Sequence, residues 1–222
     1  YSQEDWLENL NANQSILQTH KSLFGDPWAR ATLVEPLFNK NTTAPLLELP
    51  FAEGEEWALT GGLHVNWNSG TPTGALDFAP ITGERRCAVS ASWARASAAG
   101  VIIRSSESIV VLALTDEEND FTGWQVFYMH LAEQDRVAQG VRVTEGEPIG
   151  HPSCEGGQAT GTHVHITRLY KGEWIGAEGA FPLVLSSWLA LPGEKQFQSQ
   201  LVKNGQVVIA RQDGGIDSRI VR

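Results

Sequence analysis

The stretch of sequence that decides the fold is Thr162-His163-Val164-His165-Ile166. The residues around it follow a strand pattern, and we predict a β-strand over Thr162–Tyr170. Alternate side chains of a strand lie on opposite faces, so His163 and His165 share one face, roughly 7 Å apart. Two imidazoles at that spacing can serve a single site, one binding a metal and the other handling a proton. The alternative is a pair of solvent-facing histidines on an edge strand.

The rest of the chain predicts further short strands between turns rich in Gly, Pro and Asn. The acidic segment Asp116 to Gly123 is expected to be a hairpin loop, and Asn204-Gly205 is typical of a two-residue hairpin turn. The predicted fold class is therefore mainly β, with a helical N-terminal arm. The other predicted strands are Trp57–Thr60, Ala75–Ala79, Gly100–Ser105, Ser108–Thr115, Trp124–His130 and Arg142–Val143.

The first 43 residues differ from the rest of the chain. Apolar residues fall at helical spacing from Trp6 to Leu23, and Gly25-Asp26-Pro27 ends that run. We predict a helical arm and linker over residues 1–43, a main domain over 44–192 and a C-terminal β-hairpin extension over 193–222. The arm could be the end of a pro-segment, a linker or a structural brace.

Composition and charge exclude some classes of partner. The net charge is −10, and nucleic-acid binding relies on Lys and Arg to neutralise phosphates. The densest apolar run, Ile109 to Leu114, is strand-sized, far below the roughly 18 residues that span a bilayer. We therefore expect neither nucleic acid nor a membrane span. Cys87 and Cys154 form no CxxC pair, and they fit either one disulfide or two free thiols.

Asp77 lies in a strand whose neighbours are apolar, Gly74-Ala75-Leu76-Asp77-Phe78-Ala79. Burying an unpaired carboxylate costs several kcal/mol, so Asp77 needs a cation or strong hydrogen bonds. A metal ion would satisfy it, and so would an arginine or backbone amides.

Four further histidines occur outside the HxH stretch. His64 follows the diglycine Gly61-Gly62, which permits unusual backbone geometry, and His130 ends an apolar strand. Taken alone, each is more often structural than functional. We expect His20 to be a surface residue and His151 a turn residue.

Zinc hydrolases use three protein ligands and keep the fourth position for water. A His, Asp, His set would meet that rule and leave two histidines for proton chemistry. The chain has no HExxH and no GxSxG motif, which excludes a helix-borne zincin site and a serine nucleophile elbow. A nucleophilic Cys154 with His163 is an alternative, but it would leave Asp77 and His64 unexplained.

Together these motifs resemble the lysostaphin-type zinc metallopeptidases, the family of lysostaphin and LytM, and within it the staphylolysin (LasA) branch. The family pattern is an HxnD pair, a central YxH and a late HxH. The matching residues here are His64 with Asp77, Tyr128-Met129-His130, and His163-Val164-His165. The stretches Ser153–His165 and Leu49–Trp57 are also similar to that branch, and the resemblance covers roughly residues 45 to 192.

The resemblance implies a fold and a role for each residue of the site. The fold would be the antiparallel β-sheet groove of this family, similar to a duplicated hybrid motif, and 44–192 would be the zinc metallopeptidase domain. His64, Asp77 and His165 would bind one Zn²⁺ per chain. His163 would act as the general base and His130 would hydrogen-bond the developing oxyanion, while Tyr128 would pack in the sheet.

The resemblance also favours a Cys87–Cys154 disulfide, although Cys87 lies earlier than the partner expected in the staphylolysin branch. That branch has a second, C-terminal disulfide, which has no counterpart here. Stability there would have to come from packing, for which the apolar run Ala180 to Leu191 is a candidate.

The predicted function is that of a zinc-dependent endopeptidase acting on peptidoglycan cross-links or glycine-rich peptides. The resemblance implies a secreted or cell-envelope protein, and we expect a monomer. One alternative is a non-hydrolytic module that binds wall peptides or regulates another hydrolase. Another is a structural zinc domain, which would need a closed site of four ligands.

Overall fold

The computed structural model describes residues 14–24, 37–82, 86–115 and 123–222. The chain divides into two compact units, residues 1–42 and residues 43–222. The first unit contains a helix, α1 (Gln14–Phe24), which carries Ile16 and Leu23 of the predicted helical run. The earlier part of that run, Trp6 to Leu10, and the side chain of His20 lie outside the described residues. Within these ranges, no helix has the length and apolar character that crossing a bilayer requires.

The second unit is built from short strands. Those described are β1 (Glu56–Val65), β2 (Thr73–Pro80), β3 (Ala94–Arg95), β4 (Gly100–Ser106), β5 (Ile109–Ala113), β6 (Trp124–Met129), β7 (Arg142–Val143), β8 (Pro148–Gly150), β9 (Val164–Tyr170), β10 (Glu173–Trp174), β11 (Val184–Leu185), β12 (Trp188–Pro192), β13 (Ser199–Lys203), β14 (Gln206–Ile209) and β15 (Arg219–Val221). A short 3-10 helix, Ile216–Ser218, precedes β15.

Nine of these strands form one sheet, in the order β15-β1-β2-β9-β6-β5-β4-β7 with β10 paired to β9. A four-stranded sheet has the order β11-β12-β13-β14, and β3 pairs with β8. Each of these pairings between described strands is antiparallel. The predicted fold class, mainly β and antiparallel, is therefore confirmed.

The predicted strands are present, and their ends differ where the functional residues lie. β1 is longer than predicted and contains His64, β9 begins one residue after His163, and β6 ends one residue before His130. The pairing of β5 with β6 confirms the predicted hairpin, although residues 116–122 of its loop lie outside the described part of the chain. β13 and β14 form the hairpin predicted from Asn204-Gly205, whose two residues have φ of 50° and 80° as a type I′ turn requires.

One hydrophobic core serves both larger sheets. Phe51 stacks on Trp57 of β1 with ring centroids 4.9 Å apart, and the same core contains Trp188 and Leu201 of the four-stranded sheet. Leu183, Leu185 and Ala190 of the apolar run Ala180 to Leu191 also belong to this core, whereas Ala180 itself is exposed. β15 adds an edge strand beside β1, so residues 193–222 belong to the same compact unit as residues 44–192. The functional division at residue 192 remains a prediction.

Candidate metal centre and active-site groove

Strand pairing places Asp77 and His165 directly opposite each other. Asp77 of β2 faces His165 of β9 in the register of the central sheet, and side chains of opposite residues lie on the same face. His165 Nδ1 is 3.1 Å from Asp77 Oδ1. Both residues are buried, at 7% and 9% exposure. The central sheet therefore supplies two of the three predicted metal ligands from adjacent strands.

An irregularity in β1 brings His64 to the same place. Gly61 pairs with Asp77, and the next pair in the register is His64 with Ala75, so three steps along β1 match two along β2. In a regular strand His64 would lie on the face opposite Gly61; the extra residue turns it onto the face of Asp77. His64 Nε2 is consequently 3.1 Å from His165 Nδ1 and 3.5 Å from Asp77 Oδ1.

In His64 and in His165, the ring nitrogen that faces away from Asp77 is hydrogen-bonded to a backbone carbonyl. His64 Nδ1 donates to Gly62 O at 2.8 Å, and His165 Nε2 donates to Asn66 O at 2.9 Å. Because a carbonyl oxygen only accepts, the hydrogens must be on these nitrogens, and the lone pairs of His64 Nε2 and His165 Nδ1 point inwards. Three acceptors, two nitrogens and a carboxylate oxygen, then converge within 4.8 Å of one another. Such a cluster can hold a metal ion, and its donor set fits zinc.

The protonation states also suit a metal. Burial raises the pKa of Asp77, but the close contact with His165 and the nearby His64 and His163 rings together lower it well below its usual range. Burial lowers the pKa of His64 by more than the Asp77 carboxylate raises it. At neutral pH the carboxylate is therefore ionised and the imidazole neutral, and these are the forms that coordinate metals.

Gly61 gives Asp77 the space that it occupies. A Cβ at position 61 would lie 2.1 Å from Asp77 Oδ2 and 2.7 Å from its Cγ. Only glycine allows β1 to pair with β2 while the carboxylate keeps this position. The sequence contains the diglycine, but this contact depends on the pairing of β1 with β2 and has no local signal.

The two remaining predicted residues, His130 and His163, lie together beside the three ligand atoms. His163 Nε2 is 3.8 Å from Asp77 Oδ1, and the rings of His163 and His130 have centroids 4.4 Å apart. Their Nδ1 atoms donate to carbonyls, His163 to Gly161 O at 2.7 Å and His130 to Glu155 O at 2.8 Å. In each ring Nε2 is therefore the nitrogen left for chemistry.

His130 is held in an unusual backbone conformation. Its φ is 66°, a left-handed conformation that a residue with a side chain rarely adopts. Its carbonyl accepts hydrogen bonds from Ser153 N at 2.7 Å and Ser153 Oγ at 2.9 Å. Burial, followed by the neighbouring His163, lowers the pKa of His130 to about 4, so the ring is neutral at neutral pH.

The segment that holds His130 is covalently anchored. Cys87 and Cys154 form a disulfide, as the resemblance predicted, and Cys154 lies between Ser153 and Glu155, both of which bind His130. The alternative of a nucleophilic Cys154 is therefore wrong, because a disulfide sulfur carries no thiolate.

Two other sequence predictions are settled by packing. Tyr128 is fully buried and its hydroxyl accepts a hydrogen bond from Ser97 N at 2.8 Å; burial raises its pKa to about 12. It is a core residue, as predicted. His151 is buried too: its Nδ1 is hydrogen-bonded to Ser92 O, and its ring centroid is 3.9 Å from that of Trp93. The prediction of a turn residue did not include this packing.

An open groove crosses the site. Its walls include the five predicted site residues, the glycine-containing segment 156–161 and two aromatic side chains, Trp67 and Phe197. Trp67 is 44% exposed and Phe197 is 41% exposed. Neither was singled out from the sequence, nor was Asn66, whose carbonyl holds His165 and whose Nδ2 donates to Ile175 O. No local pattern marks these three residues, because their partners are distant in the chain.

No family model matches the chain. LasA protease from Pseudomonas aeruginosa is 30% identical over 194 residues, which cover 78% of this chain and 43% of that protein. Beta-lytic metalloendopeptidase from Lysobacter enzymogenes is 28% identical over 174 residues, covering 72% of this chain and 90% of that protein. The chain thus spans less than half the length of LasA, and most of the length of this beta-lytic relative.

Among solved structures, the deep-sea M23 metalloprotease pseudoalterin superimposes with a TM-score of 0.62 and 26% identity, over 76% of this chain and 96% of that one. This agreement in fold joins the sequence matches and the geometry of His64, Asp77 and His165. The chain belongs to the lysostaphin-type (M23) family of zinc metallopeptidases, with LasA and the beta-lytic metalloendopeptidases among its relatives.

Proposed function

We propose that this protein is a zinc-dependent endopeptidase that hydrolyses peptide bonds in peptidoglycan cross-links or glycine-rich peptides. The observation that carries the proposal is the pair His130 and His163, whose rings lie together beside the three converging ligand atoms but are not part of that cluster. A structural zinc site would have no use for two extra imidazoles in an open groove. One Zn²⁺ bound by His64, Asp77 and His165 would lower the pKa of a water molecule and polarise the scissile carbonyl.

His163 is suited to the role of general base. Its Nδ1 donates to Gly161 O, so Nε2 has a free lone pair and faces the ligand cluster, 3.8 Å from Asp77 Oδ1. A neutral imidazole in that position can take the proton from the attacking water and pass it to the leaving amine.

His130 is assigned to the developing oxyanion. Because its Nδ1 donates to Glu155 O, it can donate to a substrate oxygen only from a protonated Nε2. With a pKa of about 4 the ring lacks that proton at neutral pH. An oxyanion forming beside Nε2 would raise the pKa of the ring and favour uptake of a proton there from solvent in the open groove. His130 therefore acts where negative charge forms, whereas His163 acts on the water.

The groove suits an extended peptide with small residues. A glycine-rich substrate has no side chains to keep its backbone away from the site, and segment 156–161 contributes glycines to the wall. The disulfide favours an oxidising compartment, which supports the proposal of a secreted or cell-envelope protein. We propose that the enzyme works as a monomer.

The test is to incubate the zinc-loaded chain with pentaglycine and with muropeptides and to identify products by mass spectrometry. We expect cleavage by the wild type, none by His163→Ala although it retains zinc, and no zinc in His165→Ala. His151→Gln, a histidine change outside the groove, is the matched control and should cleave normally.

The same assay should be run on a chain that begins at Thr43, the first residue of the second compact unit. Greater activity of this shorter chain would identify residues 1–42 as inhibitory. If neither chain cleaves any substrate while both bind zinc, the peptidase proposal is wrong and a peptide-binding module takes its place.

A further inference from the structure

The connection between β12 and β13 passes beside the strand that carries His64. Phe197 N donates to Leu63 O at 3.1 Å, and Gly62 N donates to Phe197 O at 3.1 Å. Leu63 N donates to Ser199 Oγ at 2.8 Å. These three hydrogen bonds fix the connection to the two residues immediately before His64.

The side chain of Phe197 covers the imidazole of His64. Their ring centroids are 4.5 Å apart and the ring planes are 20° from parallel. Phe197 also has a φ of 64°, a left-handed conformation that bulky residues avoid and that persists only where the surroundings enforce it. The hydrogen bonds to β1 enforce it here, and the result is an aromatic ring lying over a predicted metal ligand.

The stacked Phe197 ring opposes a tilt of the His64 imidazole that the hydrogen bond from its Nδ1 does not prevent. The bond from Nδ1 to Gly62 O fixes the tautomer and the direction of Nε2, but a single hydrogen bond allows the ring to tilt about it. A face-to-face neighbour opposes that tilt. His64 Nε2 is thereby kept within 3.1 Å of His165 Nδ1, where the three ligand atoms converge.

Gly62 makes the approach of the connection possible. A Cβ at this position would lie 2.5 Å from both Ser199 N and Ser199 Oγ, and 2.8 Å from Phe197 O. Any side chain at position 62 would therefore push the connection away from β1. Gly61 thus leaves space for the Asp77 carboxylate, and Gly62 leaves space for the β12–β13 connection.

We propose that Phe197 is a positioning residue of the metal centre, whose ring holds His64 in its metal-binding orientation. The four-stranded sheet β11-β12-β13-β14 is then a working part of the site, since it supplies this residue through the β12–β13 connection. The inference rests on the proposed zinc site, but it does not depend on which peptide is cleaved.

The experiment measures Zn²⁺ affinity of the full chain, stripped of metal and titrated against a chromogenic chelator. Phe197→Ala should bind Zn²⁺ on the order of tenfold more weakly, because residues that orient a ligand typically contribute that much to affinity. Phe197→Tyr keeps the ring and should restore the affinity to within about twofold of wild type. Val207→Ala, at a half-exposed position of β14 in the same sheet, is the matched control and should leave affinity unchanged.

Kinetics separate positioning from substrate contact. If Phe197 positions His64, excess Zn²⁺ should recover most of the kcat of Phe197→Ala. Unchanged zinc affinity with a raised KM would mean that the ring contacts substrate only, and this would overturn the proposal.

If Phe197→Ala does not fold, judged by circular dichroism, Phe197→Leu takes its place. Wild-type zinc affinity in folded Phe197→Leu would likewise overturn the proposal. A wild type that binds no zinc would instead refute the proposed function itself.

Discussion

The substitution Gly61→Ala tests the geometry of the metal centre most directly, because it changes no ligand and adds one methyl group. The new Cβ would lie 2.1 Å from Asp77 Oδ2, 2.7 Å from Cγ and 2.8 Å from Cβ of the same side chain. An ordinary contact is at least 3.4 Å, so the carboxylate would have to move by about 1 Å. Zinc–ligand distances are held to about 0.2 Å, and Asp77 would no longer reach the position where His64 and His165 converge.

The expected loss can be bounded from this displacement. Changes to residues that only orient a ligand cost roughly 10–100-fold in metal affinity, and Gly61→Ala displaces a ligand itself. We therefore expect Zn²⁺ affinity to fall by at least about 100-fold, with a matching loss of peptidase activity at limiting zinc. Overpacking beside a buried carboxylate should also lower the free energy of unfolding by about 1–3 kcal/mol in the metal-free protein.

Competition titration with a chelator and urea unfolding measure the two effects. The matched control is Gly123→Ala, since a Cβ at Gly123 meets nothing within 4 Å; it should leave zinc affinity unchanged and stability unchanged or slightly higher. Zinc affinity of Gly61→Ala within about threefold of wild type would refute the reasoning, because a 1 Å displacement cannot preserve a coordination bond.

Three further predictions concern metal, pH and the disulfide. At free Zn²⁺ about 100 times its Kd, zinc should raise the free energy of unfolding by about 2.7 kcal/mol over the chelated protein; a similar rise in His165→Ala would contradict the ligand assignment. In the chelated protein, the lowered pKa of His130, about 4 instead of 6.5, means that the unfolded chain binds protons more readily between those values. Stability should therefore fall by up to about 3 kcal/mol as pH drops from 6.5 to 4. Urea unfolding measured across that range should show that the free energy of unfolding depends less steeply on pH in His130→Gln than in wild type. The dependence that remains would come from His64. An equally steep dependence in His130→Gln would count against a buried neutral imidazole at position 130. Finally, the Cys87→Ser, Cys154→Ser double variant opens a cross-link spanning 67 residues and should lose about 2–4 kcal/mol of unfolding free energy by the same assay. A loss below about 0.5 kcal/mol would show that the link does not constrain the unfolded chain.

Local patterns in the sequence predicted a large part of the fold. Strand periodicity predicted seven of the nine strands described in the central sheet, and Asn204-Gly205 predicted a two-residue hairpin, because these signals depend on residues adjacent in the chain. The two-residue strand β10 (Glu173–Trp174) is too short to carry such a signal. The apolar surroundings of Asp77 indicated that a buried carboxylate needed a partner. The spacing of His163 and His165 placed both on one face, although His163 proves to lie just before β9.

Other parts of the site depend on contacts between residues far apart in the chain. Glu155, whose carbonyl holds His130, and Asn66, whose carbonyl holds His165, carry no local signal of those roles. The same applies to Phe197, which belongs to a connection that sequence alone assigned to an extension. Sequence similarity to a family can point to ligands, but it does not reveal which backbone carbonyl orients each one.

What the sequence by itself determined is therefore seven of the nine strands described in the central sheet and the β13–β14 hairpin. It also determined the face on which each side chain of a regular strand lies and the types of residue available for metal and proton chemistry. What only the tertiary structure decided is which of these residues meet. The register of β2 with β9 sets Asp77 against His165, and the extra residue in β1 turns His64 onto their face. The physical reason is that side-chain direction alternates with every residue, so one inserted residue reverses it, and both register and insertion are fixed by packing between distant strands.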